Sequence, residues 1–181
     1  LRELSLHILD LIENAIKAGA SVVRVSIFQI HGRDTIEVLV EDNGKGLEVP
    51  FDMATDPFYT TNARKKTGLG LSLFKGGVER SGGSMALATS TMGGLSVRAT
   101  MPMAHVDRSP LGDLAGTLSS VVCTNPGLEL VCRLRVDGRE VEVIRSKVGR
   151  DRGLEIENSI AVARAYYEKI QEGMKKLDVT Q

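Results

Sequence analysis

Residues 1–104 predict an α/β (α+β) two-layer sandwich, with helices on one face of a largely antiparallel sheet. Three observations carry that expectation. Apolar residues alternate at period two in four short segments, and they recur at the helical period in two others. The order helix, strand, strand, loop, helix, strand, strand leaves each strand a close neighbour in sequence to pair with.

The elements follow in chain order. Residues 4–18 read as a helix stopped by Gly19. At about 100° per residue, Ile8, Leu11, Ile12, Ala15 and Ile16 share one side, while Asp10, Glu13, Asn14 and Lys17 share the other. Such a polar face is usually only solvated, but a mid-helix asparagine, a mediocre helix former, is left unexplained by that. Segments 21–30 and 35–41 read as strands through Val23, Val25 and Ile27, then Ile36, Val38 and Val40. Asp42-Asn43-Gly44-Lys45-Gly46 closes the second strand. Asn-Gly there is a hairpin signal. The second glycine and the carboxylate at the strand's end fit a site better, since glycine lets backbone approach a ligand and a semi-buried aspartate accepts from an amino group such as that of adenine.

Residues 55–67 are polar, threonine-rich and basic, too long and unpatterned for an ordinary connection. Lys65-Lys66 precede Thr67-Gly68-Leu69-Gly70-Leu71-Ser72, whose glycine pair opens a helix over 70–81 with Leu71, Phe74 and Val78 on one face. The free N–H groups and positive dipole end of such a helix suit phosphate. Segments 84–89 and 95–101 then read as strands around Gly93-Gly94.

A boundary near Met101-Pro102-Met103-Ala104 separates this region from residues 105–181, which predict a small αββα regulatory or interaction module. Leu111, Leu114, Ala115, Leu118 and Val121 recur at helical spacing over 110–122. Leu128, Leu130, Cys132, Leu134 and Val136 alternate up to Asp137-Gly138, and Val141 and Val143 answer on the return strand. Ile156, Ile160, Ala163, Tyr167, Ile170, Met174 and Leu177 form a heptad seam. The expectation is that this last helix packs on its own hairpin, giving a helix–hairpin–helix module; a homodimer through the seam is the minority expectation. No nucleophile–base pair or metal-ligand cluster stands out here, so the module is expected to sense or dock.

Composition narrows the partners. Lys plus Arg and Asp plus Glu both total 23, which argues against nucleic acid or anionic membrane held by bulk charge. Two cysteines, Cys123 and Cys132, lack metal-site spacing and read as small apolar residues in a reducing compartment. No apolar run approaches a membrane span, so the chain is expected to be cytoplasmic. It opens without Met, on a helical pattern, as a trimmed chain, a misread start or a piece of something longer would.

Taken in order, these motifs resemble the ATP-binding domain shared by gyrase-type ATPases, heat-shock protein 90, histidine kinases and mismatch-repair ATPases. Leu11-Ile12-Glu13-Asn14-Ala15-Ile16-Lys17 is similar to the family's asparagine box, Asp42-Asn43-Gly44-Lys45-Gly46 to its first glycine box, and Thr67-Gly68-Leu69-Gly70-Leu71 to its second. Pro57-Phe58-Tyr59-Thr60-Thr61 and the closing Gly94…Thr100-Met101-Pro102 resemble bacterial histidine kinases most. The resemblance implies a Bergerat-type ATP-binding fold using ATP and Mg²⁺. By it, Asn14 ligates the metal, Lys17 neutralises phosphate charge, Asp42 receives the adenine amino group and Thr100 flanks the base. Gly44, Gly46, Gly68 and Gly70 let a 55–67 lid fold over the triphosphate. Phe58 packs the base, and Lys66, Thr67, Leu69 and Leu71 belong to the phosphate end. Asp10 takes the place, one turn before the asparagine, where hydrolysing members often carry Glu; its shorter side chain implies slow hydrolysis.

The resemblance thus implies a histidine-kinase-like protein that transfers the γ-phosphoryl group to a partner protein or acts as a regulatory ATPase. The alternative is a non-catalytic ATP-gated module that docks a partner when its lid closes. A narrower resemblance, carried by residues 4–11, 105–118 and the length, is to stand-alone ATP-binding proteins that accompany iron-only hydrogenases. His7 lacks a phosphoacceptor context and is expected to be structural or to edge the pocket.

Overall fold

The computed structural model describes residues 2–48, 50–55, 69–155 and 158–181. Helix α1 (Leu4–Lys17), β1 (Val22–Ile30), a single 3-10 turn (His31–Arg33) and β2 (Thr35–Asp42) come first. The short α2 (Phe51–Ala54), α3 (Leu69–Arg80), β3 (Ser84–Thr89) and β4 (Leu95–Pro102) follow. Then come α4 (Leu114–Thr124), β5 (Glu129–Val136), β6 (Arg139–Ile144), α5 (Arg145–Asp151) and α6 (Ser159–Leu177). The strands form one six-stranded sheet, ordered β3-β4-β2-β1-β5-β6. Its pairs are antiparallel except β1 with β5, which run parallel from Val22↔Glu129 to Gln29↔Val136.

Up to Pro102, α1, α3 and the four strands lie where the periodicities put them, because each strand alternates between a helix-covered face and an outer face; the one-turn α2 and the 3-10 turn were not expected. Val23, Val25, Ile27, Ile36, Val38 and Val40 are all buried on the face that α1 packs against, while α3 lies against β3 and β4. Among the described residues no helix covers the outer face; ion pairs shield it instead. Arg24 reaches Glu41 (3.4 Å), Arg98 reaches Glu37 (2.9 Å), Arg133 reaches Glu142 (2.6 Å) and Arg135 reaches Glu140 (2.5 Å). The Arg135 guanidinium also lies 5.1 Å from the centre of the Phe28 ring. Long side chains laid flat in this way cover apolar surface with their stems, and Leu39 and Val131 are buried among them.

Residues 105–181 depart further from expectation. The helix expected over 110–122 starts only at Leu114, where Asp113 caps it by accepting from Gly116 N at 2.8 Å. Pro110 and Leu111 lie outside that helix and use their carbonyls differently, accepting Leu4 N (2.9 Å) and Ser5 N (3.0 Å) at the open end of α1. Helix α5 was not expected; seven residues with only Arg145, Val148 and Gly149 buried give too little period to read. The seam on α6 is rotated. Ile160 and Tyr167 are exposed, whereas Val162, Ala165 and Tyr166 turn inward beside Ala163, Ile170, Met174 and Leu177; Ile156 lies outside the described residues. Small residues hid the true face: at Gly173 a Cβ would lie 2.9 Å from Val141 Cγ1, so α6 sits close upon β6 there. That face is covered by α4, β5 and β6 of the same chain. The helix–hairpin–helix order is present, with its hairpin continuing the sheet and its apolar residues in the same core as those of residues 1–104.

Tyr166 is fully buried, and its hydroxyl donates to Leu130 O at 3.2 Å. Tyr166→Phe is expected to lower unfolding free energy by about 1 kcal/mol with an unchanged denaturant slope, read by urea titration.

Candidate functional site

The site assembles where β2 ends. Asp42 is 5% exposed, and its Oδ1 accepts from Gly44 N (2.8 Å) and Leu95 N (3.3 Å). Its carbonyl accepts from Gly94 N at 3.1 Å. One carboxylate oxygen is therefore fixed by backbone donors on both sides. Oδ2 makes no hydrogen bond among the described residues, which leaves a rigid acceptor.

The loop that follows is stapled to the end of α1. Asn43 Oδ1 accepts from Ser21 N and Val22 N, both at 2.9 Å, and Lys45 N donates to Ala18 O at 3.1 Å. At Gly94 a side chain has no room: a Cβ would meet Asp42 Oδ1, and would lie 2.6 Å from Asp42 O and 2.7 Å from Gly44 N. Gly46 adopts φ +72°, a conformation open to glycine at little cost.

Helix α1 links this loop to the start of α3. Ala18 touches the 42–46 loop, and a Cβ at Gly70, in the first turn of α3, would lie 3.4 Å from Asp10 Cβ. Asp10, Asn14 and Ala18 are one helical turn apart in succession, so Asn14 is placed between the two glycine segments. Its half-buried side chain makes no hydrogen bond among the described residues. Lys17 is exposed and only loosely paired with Glu13 at 3.8 Å. Asp10 is engaged by Arg2, at 2.9 Å.

Several expected site residues stand elsewhere or cannot be placed. Thr100 is not beside Asp42: it pairs with Glu37 and Ser84, five positions along β4 from Leu95, roughly 17 Å away at the usual rise per residue. Leu95, just after the Gly93-Gly94 turn, is the β4 residue whose N–H meets the carboxylate. Counting forward from that turn, instead of back from Pro102, would have found it. The Leu71 side chain is buried in the core, so only its backbone faces outward chemistry. Leu69 begins α3, in the helix's first turn, where backbone N–H groups have no intrahelical acceptor. Phe58, Lys66, Thr67 and Gly68, with the rest of the 55–67 lid apart from Thr55, lie outside the described residues. Gly94 was read only as part of the closing motif, without a place at the site, and Arg2 was not singled out.

His7 sits behind this face. It is 5% exposed, stacks on Phe74 with ring centres 5.0 Å apart, and keeps a buried Nδ1 without a partner among the described residues. Burial above all, then Arg2 and Arg80, depress its pKa below 6.5, against an opposing pull from Asp10. A histidine held neutral contributes stability that is complete above the unfolded value of 6.5 and is lost as pH falls through the lower folded value. Melting temperature is therefore expected to fall more steeply below pH 6.5 in the parent than in His7→Leu, and parallel curves would contradict this.

Magnesium takes six oxygens, keeps several waters and is usually held by one or two protein groups together with substrate phosphates. Among the described residues there is no group of three or more His, Cys, Asp or Glu that could hold a metal. The amide of Asn14, unengaged among the described residues, fits an ion carried in by a triphosphate.

The two-layer α/β sandwich thus carries a buried carboxylate acceptor at the end of β2, and α1 runs from that loop to the start of α3. Residues 2–105 match the family described as Histidine kinase-, DNA gyrase B-, and HSP90-like ATPase, and the chain belongs to that family. Membership implies ATP binding. No curated protein matches the chain. Among solved structures, the crystal structure of the N-terminal domain of a DNA repair protein is similar at a TM-score of 0.49 and 13% identity, over 79% of this chain and 52% of that one. The chain thus spans about half of that structure's length, and a likeness of this degree says nothing of what this chain acts on. Among the described residues, no helix is long and apolar enough to cross a membrane.

Proposed function

We propose that the protein binds Mg²⁺-ATP between α1, the 42–46 loop and the start of α3, and passes the γ-phosphoryl group to a residue on a partner protein. The observation that carries this reading is Asp42, buried, fixed through one oxygen and, among the described residues, without a hydrogen bond at the other. Adenine's amino group is the donor such an acceptor lacks. Asn14 would hold the metal through its side-chain oxygen, and Lys17 would answer phosphate charge. Bound Mg²⁺ supplies charge neutralisation across the phosphates, so this chain's part is mostly positioning. In transfer, the bond from the γ-phosphorus to the bridging oxygen breaks, a bond to the partner's nucleophile forms, and ADP leaves. The C-terminal region, as a module from about residue 105, would relay nucleotide state to that partner, with hydrogenase-associated proteins the candidate class.

A second reading is an ATP-gated docking module without turnover. It is favoured by Asp10, whose carboxylate is already engaged by Arg2. Titration calorimetry with a non-hydrolysable ATP analogue, with and without Mg²⁺, tests the pocket and the metal together; no binding ends both readings. ATP labelled at the γ-phosphate separates them. Label on a partner supports transfer, free phosphate supports hydrolysis, and tight binding with neither supports the gate.

A further inference from the structure

Arg2 stands just ahead of α1, yet its side chain reaches along the helix to Asp10. Nη1 lies 2.9 Å from Oδ2 and Nη2 lies 3.2 Å from Oδ1, so the guanidinium takes both carboxylate oxygens as a fork. Asp10 is one turn before Asn14 and touches the start of α3, where a water attacking a bound γ-phosphate would need its base. A carboxylate acts as a base through a free lone pair and an uncompensated charge; this pair occupies one lone pair on each oxygen and offsets the charge, which weakens Asp10 as a base.

The position of Arg2 is set by the segment at residues 110–112. Leu4 N and Ser5 N donate to Pro110 O and Leu111 O. Glu3 packs against Gly112 so tightly that a Cβ there would lie 2.6 Å from Glu3 Cδ and 2.7 Å from Glu3 Cβ. The residue next to Arg2 is thus held by the segment that leads into α4. The ion pair itself is accessible, with side chains 42% and 26% exposed, so it can open without disturbing the core.

We propose that Arg2 restrains Asp10: it is a positioning residue that keeps this carboxylate from activating water, and so holds ATP hydrolysis down in the free protein. This rests on the ATP-binding reading above. The test is phosphate release at saturating Mg²⁺-ATP by the full chain and by Arg2→Met, Arg2→Lys and Arg2→Met/Asp10→Asn, with analogue affinity measured for each. Arg2→Met keeps the apolar stem and removes the charge. It is expected to raise kcat about two- to fivefold, the scale an exposed ion pair supplies, with analogue affinity unchanged. Arg2→Lys should restore most of the restraint, and the double variant should lose the gain. A kcat in Arg2→Met equal to or below the parent's, with analogue still bound, overturns the restraint alone. A parent that binds no analogue overturns it together with the ATP-binding reading.

Discussion

Asp42→Asn is expected to weaken ATP binding about ten- to a hundredfold, the range for a hydrogen bond to a charged group, and to erase preference for ATP over GTP. Asparagine can still offer Oδ1 to Gly44 N and Leu95 N, so the loop keeps its anchor. What changes is the free position, where an amide NH₂ replaces an oxygen and faces adenine's amino group donor to donor. Calorimetric titration of both nucleotides against parent and variant reads the effect. An unchanged ATP-to-GTP ratio would mean that Asp42 does not recognise the base.

The second large effect is expected at Gly94. In Gly94→Ala the methyl group would be driven into Asp42 Oδ1, with Asp42 O at 2.6 Å and Gly44 N at 2.7 Å also in its way. Two of these are backbone atoms and cannot swing aside. Overpacking of this kind costs about 1–3 kcal/mol, and the displaced carboxylate should lose nucleotide affinity in the same sense as Asp42→Asn. Gly32→Ala is the control, since a Cβ there meets nothing within 4 Å, and it should stay within about 0.5 kcal/mol of the parent. Equal unfolding free energies for the Gly94 and Gly32 variants in urea would show that the contact is not tight.

What could be read from the residues, and what could not, divides along physical lines. Strand periodicity is local, so the strands before residue 104 were legible with their ends, and α1 declared its buried and polar sides in one wheel. The Asp42 loop was legible because its glycines and carboxylate are adjacent in sequence. Long-range pairing leaves no such trace. Nothing in the alternation of Leu130, Cys132 and Leu134 says that this strand lies along β1, so a hairpin that completes the sheet read as part of a separate unit. Thr100 failed for a related reason: a strand's pattern gives its faces but not which end meets the site. On α6, Gly173 and Ala165 carry close packing that a search for large apolar side chains passes over, and the expected seam fell on the exposed Tyr167 instead of Tyr166. Arg2 was overlooked because its partner lies two turns along the helix, at a distance fixed only once the 110–112 segment pins the helix start.

The parallel alignment of β1 with β5 bears on how the chain reaches its native state. Their partners are roughly a hundred positions apart, so the pairing closes a very long loop and belongs to the slow, high-contact-order part of folding. During synthesis β1 emerges early and can join β2 at once, but its other edge waits with unpaired backbone groups until the hairpin has been made. Refolding is accordingly expected to be limited by capture of that hairpin, and aggregation of incomplete chains to start from the waiting edge of β1.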